Sequence, residues 1–154
     1  MYTASTSTSP FTIRMSLKPN KALFIMSLKN PHVTTRAYPE TFTFLKQNFA
    51  PVLETKCFNA QHLPFTQEVK DTEIGHLFEH LLLSFLTLHK RAAGEKNTLF
   101  RGVTSWDWTK EPFGTFHITI YLDTADQKYV KGALSQSIIL TRLLLANHQQ
   151  RMVN

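Results

Sequence analysis

Residues 11–26 have the pattern of a β-hairpin, and a hairpin commits the chain to an antiparallel sheet. In residues 11–17 every second side chain is apolar, which is typical of a strand with one buried face. Residues 18–21, Lys-Pro-Asn-Lys, have the composition of a turn, and the apolar segment 22–26 follows directly. The same alternation returns in residues 115–122. The sequence therefore predicts that an antiparallel sheet forms the centre of the fold.

Helical segments separate the predicted strands. A short helix follows Pro39, a long one runs from Asp71 to Lys90, and a final one covers about 125–148. Further strands are predicted at 52–58 and 98–106, and a loop at 59–68. The element order is then β-β-α-β-α-β-β-α. This order predicts an α+β fold, an antiparallel sheet with helices packed on one face.

One domain accounts for most of the chain. The length of 154 residues matches the roughly 100–200 residues of a single domain. Residues 1–9 are rich in Ser and Thr, have no apolar stretch, and are predicted to form a disordered tail. We therefore expect a single α+β domain at residues 10–150.

Composition and charge exclude several classes of protein. Cys57 is the sole cysteine, so a disulfide-linked secreted scaffold is excluded. No apolar run approaches the length of a membrane span and no secretory signal is present, so we expect a cytoplasmic protein without a membrane partner. The net charge is +6, but the basic residues before Glu40 are spaced along predicted strands. This spacing favours a mildly basic domain over one that binds nucleic acid.

The predicted helix at 71–90 carries the residues best suited to chemistry. At about 100° per residue, His76, Glu79 and His80 lie on one narrow stripe, and the rest of the circumference is mostly apolar. Two histidines four positions apart can bind one Zn²⁺ from the same helix face. A neighbouring glutamate can accept a proton from a metal-activated water. The order His-x-x-Glu-His is the inverted form of the common zinc-protease motif.

A solvated helix face is the alternative explanation of this stripe. Such a face commonly carries lysine or arginine, and neither occurs on the stripe before Lys90. We therefore predict that His76 and His80 bind zinc or another divalent transition metal. Glu79 is then the predicted catalytic base.

The segment Trp106-Asp107-Trp108 ends the predicted strand at 98–106. Two tryptophans can belong to a core, with Asp107 in a turn. They can also line a pocket in which Asp107 binds a cationic group or the metal. We predict a substrate-binding pocket formed by Trp106, Asp107 and Arg101.

Several features, taken in order along the chain, resemble a known family. Residues 38–45 contain a Pro-led helix, residues 51–57 a Pro-x-Leu segment that ends in Cys57, and residues 71–83 a Gly-His-x-x-Glu-His helix. A hairpin with the sequence Gly-Thr-Phe-His-Ile at 114–118 follows. In this order the features resemble the N-terminal domain of cyanophycin synthetase, over about residues 20–145.

The resemblance implies an activity. In that family the domain precedes an ATP-grasp and a ligase domain, and in some members it cleaves cyanophycin to make primers. Its helix is similar to those of the insulinase-type metalloproteases and of S-ribosylhomocysteine lyase. Carried over, His76 and His80 are metal ligands and Glu79 is the base. The ATP-using domains are not in this sequence, so we expect a stand-alone hydrolase of a peptide or related amide.

The resemblance leaves the third metal ligand open. In the insulinase-type and lyase relatives this ligand follows the residues matched here, so Cys57, Asp107, Asp123 or His117 is expected to serve. By itself, Cys57 is typical of a small buried side chain and His117 of a surface histidine. Thr55 stands where the family has a histidine. A missing third ligand would favour a non-catalytic binding or assembly module of the same fold, and a homo-oligomer is a further expectation because lyase-like relatives build sites between subunits.

Overall fold

A computed structural model of the chain describes residues 2–4, 9–55 and 64–153, with side chains in 9–55 and 64–146. The strands of this part of the chain are β1 (Tyr2–Ala4), β2 (Phe11–Lys18), β3 (Lys21–Leu28), β4 (Arg101–Ser105) and β5 (Thr115–Tyr121). They form one antiparallel sheet in the order β1-β2-β3-β5-β4. The predicted hairpin is confirmed, with Lys18 opposite Lys21 beside its turn.

In sequence, the α-helices lie between β3 and β4 and after β5. The described α-helices are α1 (Thr41–Asn48), α2 (Phe65–Glu68), α3 (Ile74–Ala92) and α4 (Val130–Val153). Short 3₁₀ segments occur at Thr35–Ala37, Ala50–Glu54 and Thr124–Tyr129. Of the helices described, none is long and apolar enough to cross a membrane.

The main helices, α3 and α4, pack against each other, and α3 lies on β4 and β5. Strand residues that face the helices, such as Phe24, Met26 and Ile118, are fully buried. Their neighbours in sequence, such as Leu23 and Thr119, are only partly buried because they point to the other face. The predicted α+β fold, an antiparallel sheet with helices packed on one face, is therefore confirmed.

Residues 2–4 and 9 of the predicted disordered tail are described, whereas residues 1 and 5–8 lie outside the described residues. Tyr2–Ala4 form strand β1, which pairs with β2 from Tyr2 opposite Met15 to Ala4 opposite Ile13. Ser9 is buried, and its hydroxyl donates to the backbone oxygen of Phe11 at 2.6 Å. The outer edge of β2 offers unpaired backbone groups, so even a polar segment can add a strand there. Low hydrophobicity alone therefore did not identify this pairing.

The predicted strand at 52–58 is wrong where the structure describes it. Ala50–Glu54 form a 3₁₀ segment with a proline at its start, and Val52 and Leu53 are both buried. Two consecutive buried side chains do not fit a half-buried strand, whose side chains alternate between faces. Proline also has a φ suited to a helical first turn. Residues 56–58, including Cys57, lie outside the described residues.

The predicted loop at 59–68 ends in a helix instead. Its described part contains α2, whose Phe65 is fully buried. A helix of four residues gives too short a periodic signal to be recognised in a sequence. At the next boundary, α3 begins at Ile74 with Glu73 as its N-cap residue, whereas Asp71 forms an exposed ion pair with Arg36 at 2.5 Å.

A glycine allows α3 to approach the sheet closely at its first turn. A Cβ atom added to Gly75 would lie 2.3 Å from Cγ and 2.7 Å from Cβ of Phe116, a buried residue of β5. Distances below 3.0 Å are not tolerated, so only glycine fits this position. Because His76 is the next residue, this contact also sets the height of the histidine stripe above the sheet.

Candidate metal centre

Helix α3 brings His76, Glu79 and His80 together as the stripe predicted. One ligand atom from each of the three lies within 4.8 Å of the other two. His80 is 1% exposed and Glu79 5% exposed, so this stripe is not a solvated helix face. Buried polar groups are stable only with partners. The hydrogen bonds of each side chain therefore show what the cluster is arranged to do.

The hydrogen bonds around His80 assign its proton to Nδ1. Thr55 Oγ1 lies 2.7 Å from His80 Nδ1 and donates its own hydrogen to the backbone oxygen of Val52 at 2.6 Å. A hydroxyl has one hydrogen to donate, so Thr55 must accept from His80 Nδ1–H. The Nε2 atom of neutral His80 then carries a lone pair, which is the form that binds a metal.

The same logic applies to His76. Its Nδ1 lies 2.8 Å from Thr72 Oγ1, whose hydroxyl donates to Glu73 Oε2 at 3.4 Å. With its hydrogen directed to Glu73, Thr72 can accept from His76 Nδ1–H, and this tautomer leaves the lone pair on Nε2. Thr72 is buried, so this arrangement is held within the protein.

The two Nε2 atoms face each other at 3.1 Å. Two unprotonated nitrogens at this separation repel each other unless a cation lies between them. Two Zn–N bonds of about 2.05 Å in a tetrahedral site place the nitrogens about 3.3 Å apart. The donor set, its tautomers and its spacing therefore fit a metal ion, and these residues form a candidate metal site.

Burial keeps His80 in its neutral form. Desolvation lowers the pKa of His80 to about 3, and His76 adds to the effect where it is protonated. The ring of Phe65 stacks on the imidazole with centroids 3.9 Å apart and planes 7° apart. Phe65 is fully buried and therefore limits rotation of His80. His80 is thus held in orientation and protonation state as a ligand.

Glu79 lies between α3 and strand β4. Thr104 Oγ1 donates to Glu79 Oε1 at 2.7 Å. Gly102 leaves room for the side chain, because a Cβ there would lie 3.0 Å from Glu79 Cγ. Burial raises the pKa of Glu79, while the Thr104 hydrogen bond and His76 act against this rise and Glu68 adds to it. A carboxylate with a raised pKa is a stronger base.

None of the described candidates for a third ligand joins the histidines. Among described residues the only group of metal-binding side chains within ligand distance is His76, Glu79 and His80. His117 lies on the sheet face away from the helices and bonds Glu111 through Nε2 at 2.7 Å. Asp123 is exposed at the start of a 3₁₀ segment. Cys57 lies outside the described residues, so its role stays a prediction.

The predicted pocket residues occupy different places. Trp106 packs edge-on against Phe116, with centroids 5.5 Å apart, on the helix-facing side of the sheet. Asp107 accepts hydrogen bonds from the backbone N–H and hydroxyl of Thr109 at 3.1 and 2.6 Å, and so shapes its own exposed turn. These bonds lower the pKa of Asp107. Trp106 therefore stays a candidate wall of a pocket, whereas the Asp107 carboxylate is engaged in a turn.

Arg101 lies on the opposite face of β4 from the cluster. Gly102 and Thr104 face Glu79, and strand residues alternate between faces, so Arg101 points away from it. Its guanidinium lies 4.7 Å from the ring centre of Tyr121. The predicted role of Arg101 in substrate binding stays a prediction.

Several residues of the site were missed by sequence reasoning: Thr55, Phe65, Glu68 and Thr104. Thr104 could have been found from the alternation of side chains along β4. Thr104 lies on the same face of the strand as Gly102, whereas Arg101 and Val103 lie on the other face. One sequence signal pointed to Thr55: it stands where the resembled family has a histidine. Phe65 and Glu68 reach the site through α2, whose position depends on tertiary packing.

Comparisons with models of protein families, with curated proteins and with solved structures find no match to this chain. The function therefore has to be inferred from the geometry of the site.

Replacing Thr55 with valine should weaken metal binding. Valine keeps the shape but removes the acceptor for His80 Nδ1–H, so the tautomer is no longer held. Loss of such a partner of a ligand histidine typically costs roughly 10–100-fold in metal affinity. Zinc titration against a chromophoric chelator measures the change. Thr124→Val is the control, because the hydroxyl of Thr124 donates to the backbone oxygen of Pro19, 105 positions away in the sequence. Equal zinc affinities of the Thr55 variant and the wild type would contradict the role of Thr55.

Proposed function

We propose that this chain is a metal-dependent hydrolase that cleaves a peptide or related amide. The observation that carries the proposal is the pair of Nε2 atoms, 3.1 Å apart, of His76 and His80. Both imidazoles have their other nitrogen on a threonine hydroxyl, and Glu79 lies beside them. Among the described residues two or three protein ligands are offered, which supports a catalytic rather than a closed structural zinc site.

His76 and His80 would hold the metal, and Glu79 would move the proton. A bound divalent metal supplies Lewis acidity, which lowers the pKa of water and polarises a carbonyl. Glu79 accepts a proton from the attacking water as its oxygen bonds to the carbonyl carbon. It then donates that proton to the amide nitrogen as the C–N bond breaks, which yields a carboxylic acid and an amine. Burial of Glu79 supports this role because it raises the pKa of the carboxylate.

The substrate class is proposed from the resemblance and from the surface beside the cluster. The order of motifs is similar to that of the N-terminal domain of cyanophycin synthetase, which cleaves a peptide-like polymer in some members. Trp106 is 40% exposed and lies on the helix-facing side of the sheet, where it can contact an extended chain. A peptide-like substrate fits both features.

A non-catalytic binding or assembly module of the same fold is the second candidate. The observation that favours it is the ligand set, in which Glu79 is the only carboxylate within ligand distance of both histidines among described residues. If Glu79 is itself the third ligand, it is no longer free to act as the base. Metal would then stabilise the fold without catalysis.

Metal analysis of protein purified without chelators tests the proposal. The wild type should contain about one equivalent of a divalent transition metal and hydrolyse members of a peptide and amide panel. The double variant His76→Ala/His80→Ala should lose both, because it lacks both nitrogens. A double variant of two other histidines, His32→Ala/His117→Ala, is the matched control and should retain both. Absence of stoichiometric metal from the wild type would overturn the proposal, and metal without any hydrolysis would favour the binding module.

A further inference from the structure

A second buried carboxylate lies behind His76. Glu68 ends helix α2, and its Oε1 lies 3.8 Å from His76 Nδ1. The Glu68 side chain is 12% exposed, and its buried Oε2 has no hydrogen-bond partner among the described residues. A buried carboxylate oxygen without a donor is costly for folding. The unfavourable burial of this carboxylate therefore points to a role in the neighbouring site rather than in folding.

The position of Glu68 is that of an outer carboxylate in a metal centre. It approaches the Nδ1 side of His76, whereas the ligand lone pair is on Nε2. A carboxylate on the far nitrogen of a ligand histidine fixes the tautomer and raises the basicity of the coordinating nitrogen. Thr72 is the nearer partner of Nδ1, at 2.8 Å, and Glu68 Oε1 adds negative charge 3.8 Å from the same nitrogen.

Helix α2 contacts both histidines of the candidate metal site. Phe65, one turn before Glu68, stacks on His80, the other histidine of the pair. The same short helix therefore contacts each histidine with a different side chain, one apolar and one charged. A helix that only filled space in the core would not need a buried carboxylate beside an imidazole.

We propose that Glu68 is a positioning residue for the metal centre, which holds His76 in its Nδ1–H form and strengthens metal binding through Nε2. This inference rests on the proposed metal site. It assigns no step of hydrolysis to Glu68, which acts through His76 and does not contact the reacting atoms.

The variant Glu68→Gln tests the role of the charge, because glutamine keeps the shape and can still accept a hydrogen bond. Zinc affinity should fall roughly 10–100-fold, measured with a competing chelator and by the visible spectrum of the Co²⁺-loaded protein. The melting temperature without metal should stay equal or rise, since a largely buried carboxylate, whose Oε2 has no partner among the described residues, loses its charge. Glu68→Asp, which retains the charge with a shorter reach, should have an intermediate affinity. Glu54→Gln, at an exposed carboxylate of the neighbouring 3₁₀ segment, is the matched control and should bind zinc as the wild type does.

The outcomes separate this inference from the proposed function. If the wild type and Glu68→Gln bind zinc equally tightly, the positioning role is wrong and the metal site stands. If Glu68→Gln loses stability without metal as well as affinity, Glu68 is a structural residue and the inference is overturned. If the wild type binds no metal, the proposed function and this inference fail together. If Glu68→Gln does not fold, a zinc affinity of Glu68→Asp equal to that of the wild type overturns the inference, and a weaker one supports it.

Discussion

Replacing Glu79 with glutamine should leave the fold and the metal in place and lower the rate of hydrolysis by about 10²–10⁴-fold, the usual contribution of a general acid–base residue. Glutamine is isosteric and can still accept the hydrogen bond from Thr104. It cannot accept the proton of the attacking water. The measurement is kcat on the best substrate of the amide panel, together with metal content and melting temperature.

The metal content of the Glu79 variant decides between the two candidate functions. A base that is not a ligand predicts full metal occupancy in Glu79→Gln. Loss of metal would instead make Glu79 the third ligand and favour the binding or assembly module. Glu111→Gln is a suitable control, because Glu111 bonds His117 on the sheet face away from α3. This control should retain both metal and activity.

The sequence predicted the parts of the site that one helix supplies. His76, Glu79 and His80 share a face because Glu79 and His80 follow His76 by three and four positions on a regular helix, and this geometry is local. The hairpin of β2 and β3 was predictable for the same reason, since alternation and turn composition lie within a short segment. Local periodicity is read directly from the order of residues.

The partners of the histidines could not be predicted, because they come from other segments. Thr55, Phe65 and Glu68 reach α3 through a 3₁₀ segment and a four-residue helix. Elements of this length are unstable in isolation, so they form only when packed against the core. Their position is a property of tertiary packing and leaves no periodic signal.

The position of Arg101, unlike that of the histidine partners, could have been predicted from the sequence, because side chains alternate between the two faces of a strand. Residues 101 and 104 of one strand lie on opposite faces. A pocket that includes Glu79, which bonds Thr104, therefore cannot also include Arg101. The strand period, applied to the predicted strand at 98–106, would have separated Arg101 from Trp106 and from the histidine helix.

Replacing Gly75 with alanine should destabilise the protein by about 3 kcal/mol, at the upper end of the usual cost of overpacking a core. The added Cβ would lie 2.3, 2.6 and 2.7 Å from Cγ, Cδ1 and Cβ of Phe116. Phe116 cannot move away easily, because it is fully buried and both Trp106 and Trp108 pack edge-on against its ring at 5.5 Å. Alanine is the better helix former by roughly 1 kcal/mol, which is too little to offset this clash.

Urea unfolding of Gly75→Ala, Phe116→Ala and the double variant measures this contact. The double variant should be more stable than the sum of the two single effects predicts, because alanine at position 116 lacks Cγ and Cδ1, the two atoms that lie nearest to the new Cβ. Gly132→Ala in α4 is the matched control. The atoms nearest to its Cβ would belong to the imidazole of His89, the first at 3.2 Å, and the variant should lose far less stability than Gly75→Ala. A Gly75→Ala protein as stable as this control would mean that α3 does not depend on its close approach to Phe116. If that approach matters, Gly75→Ala should also weaken zinc binding, since His76 is attached directly to the displaced residue.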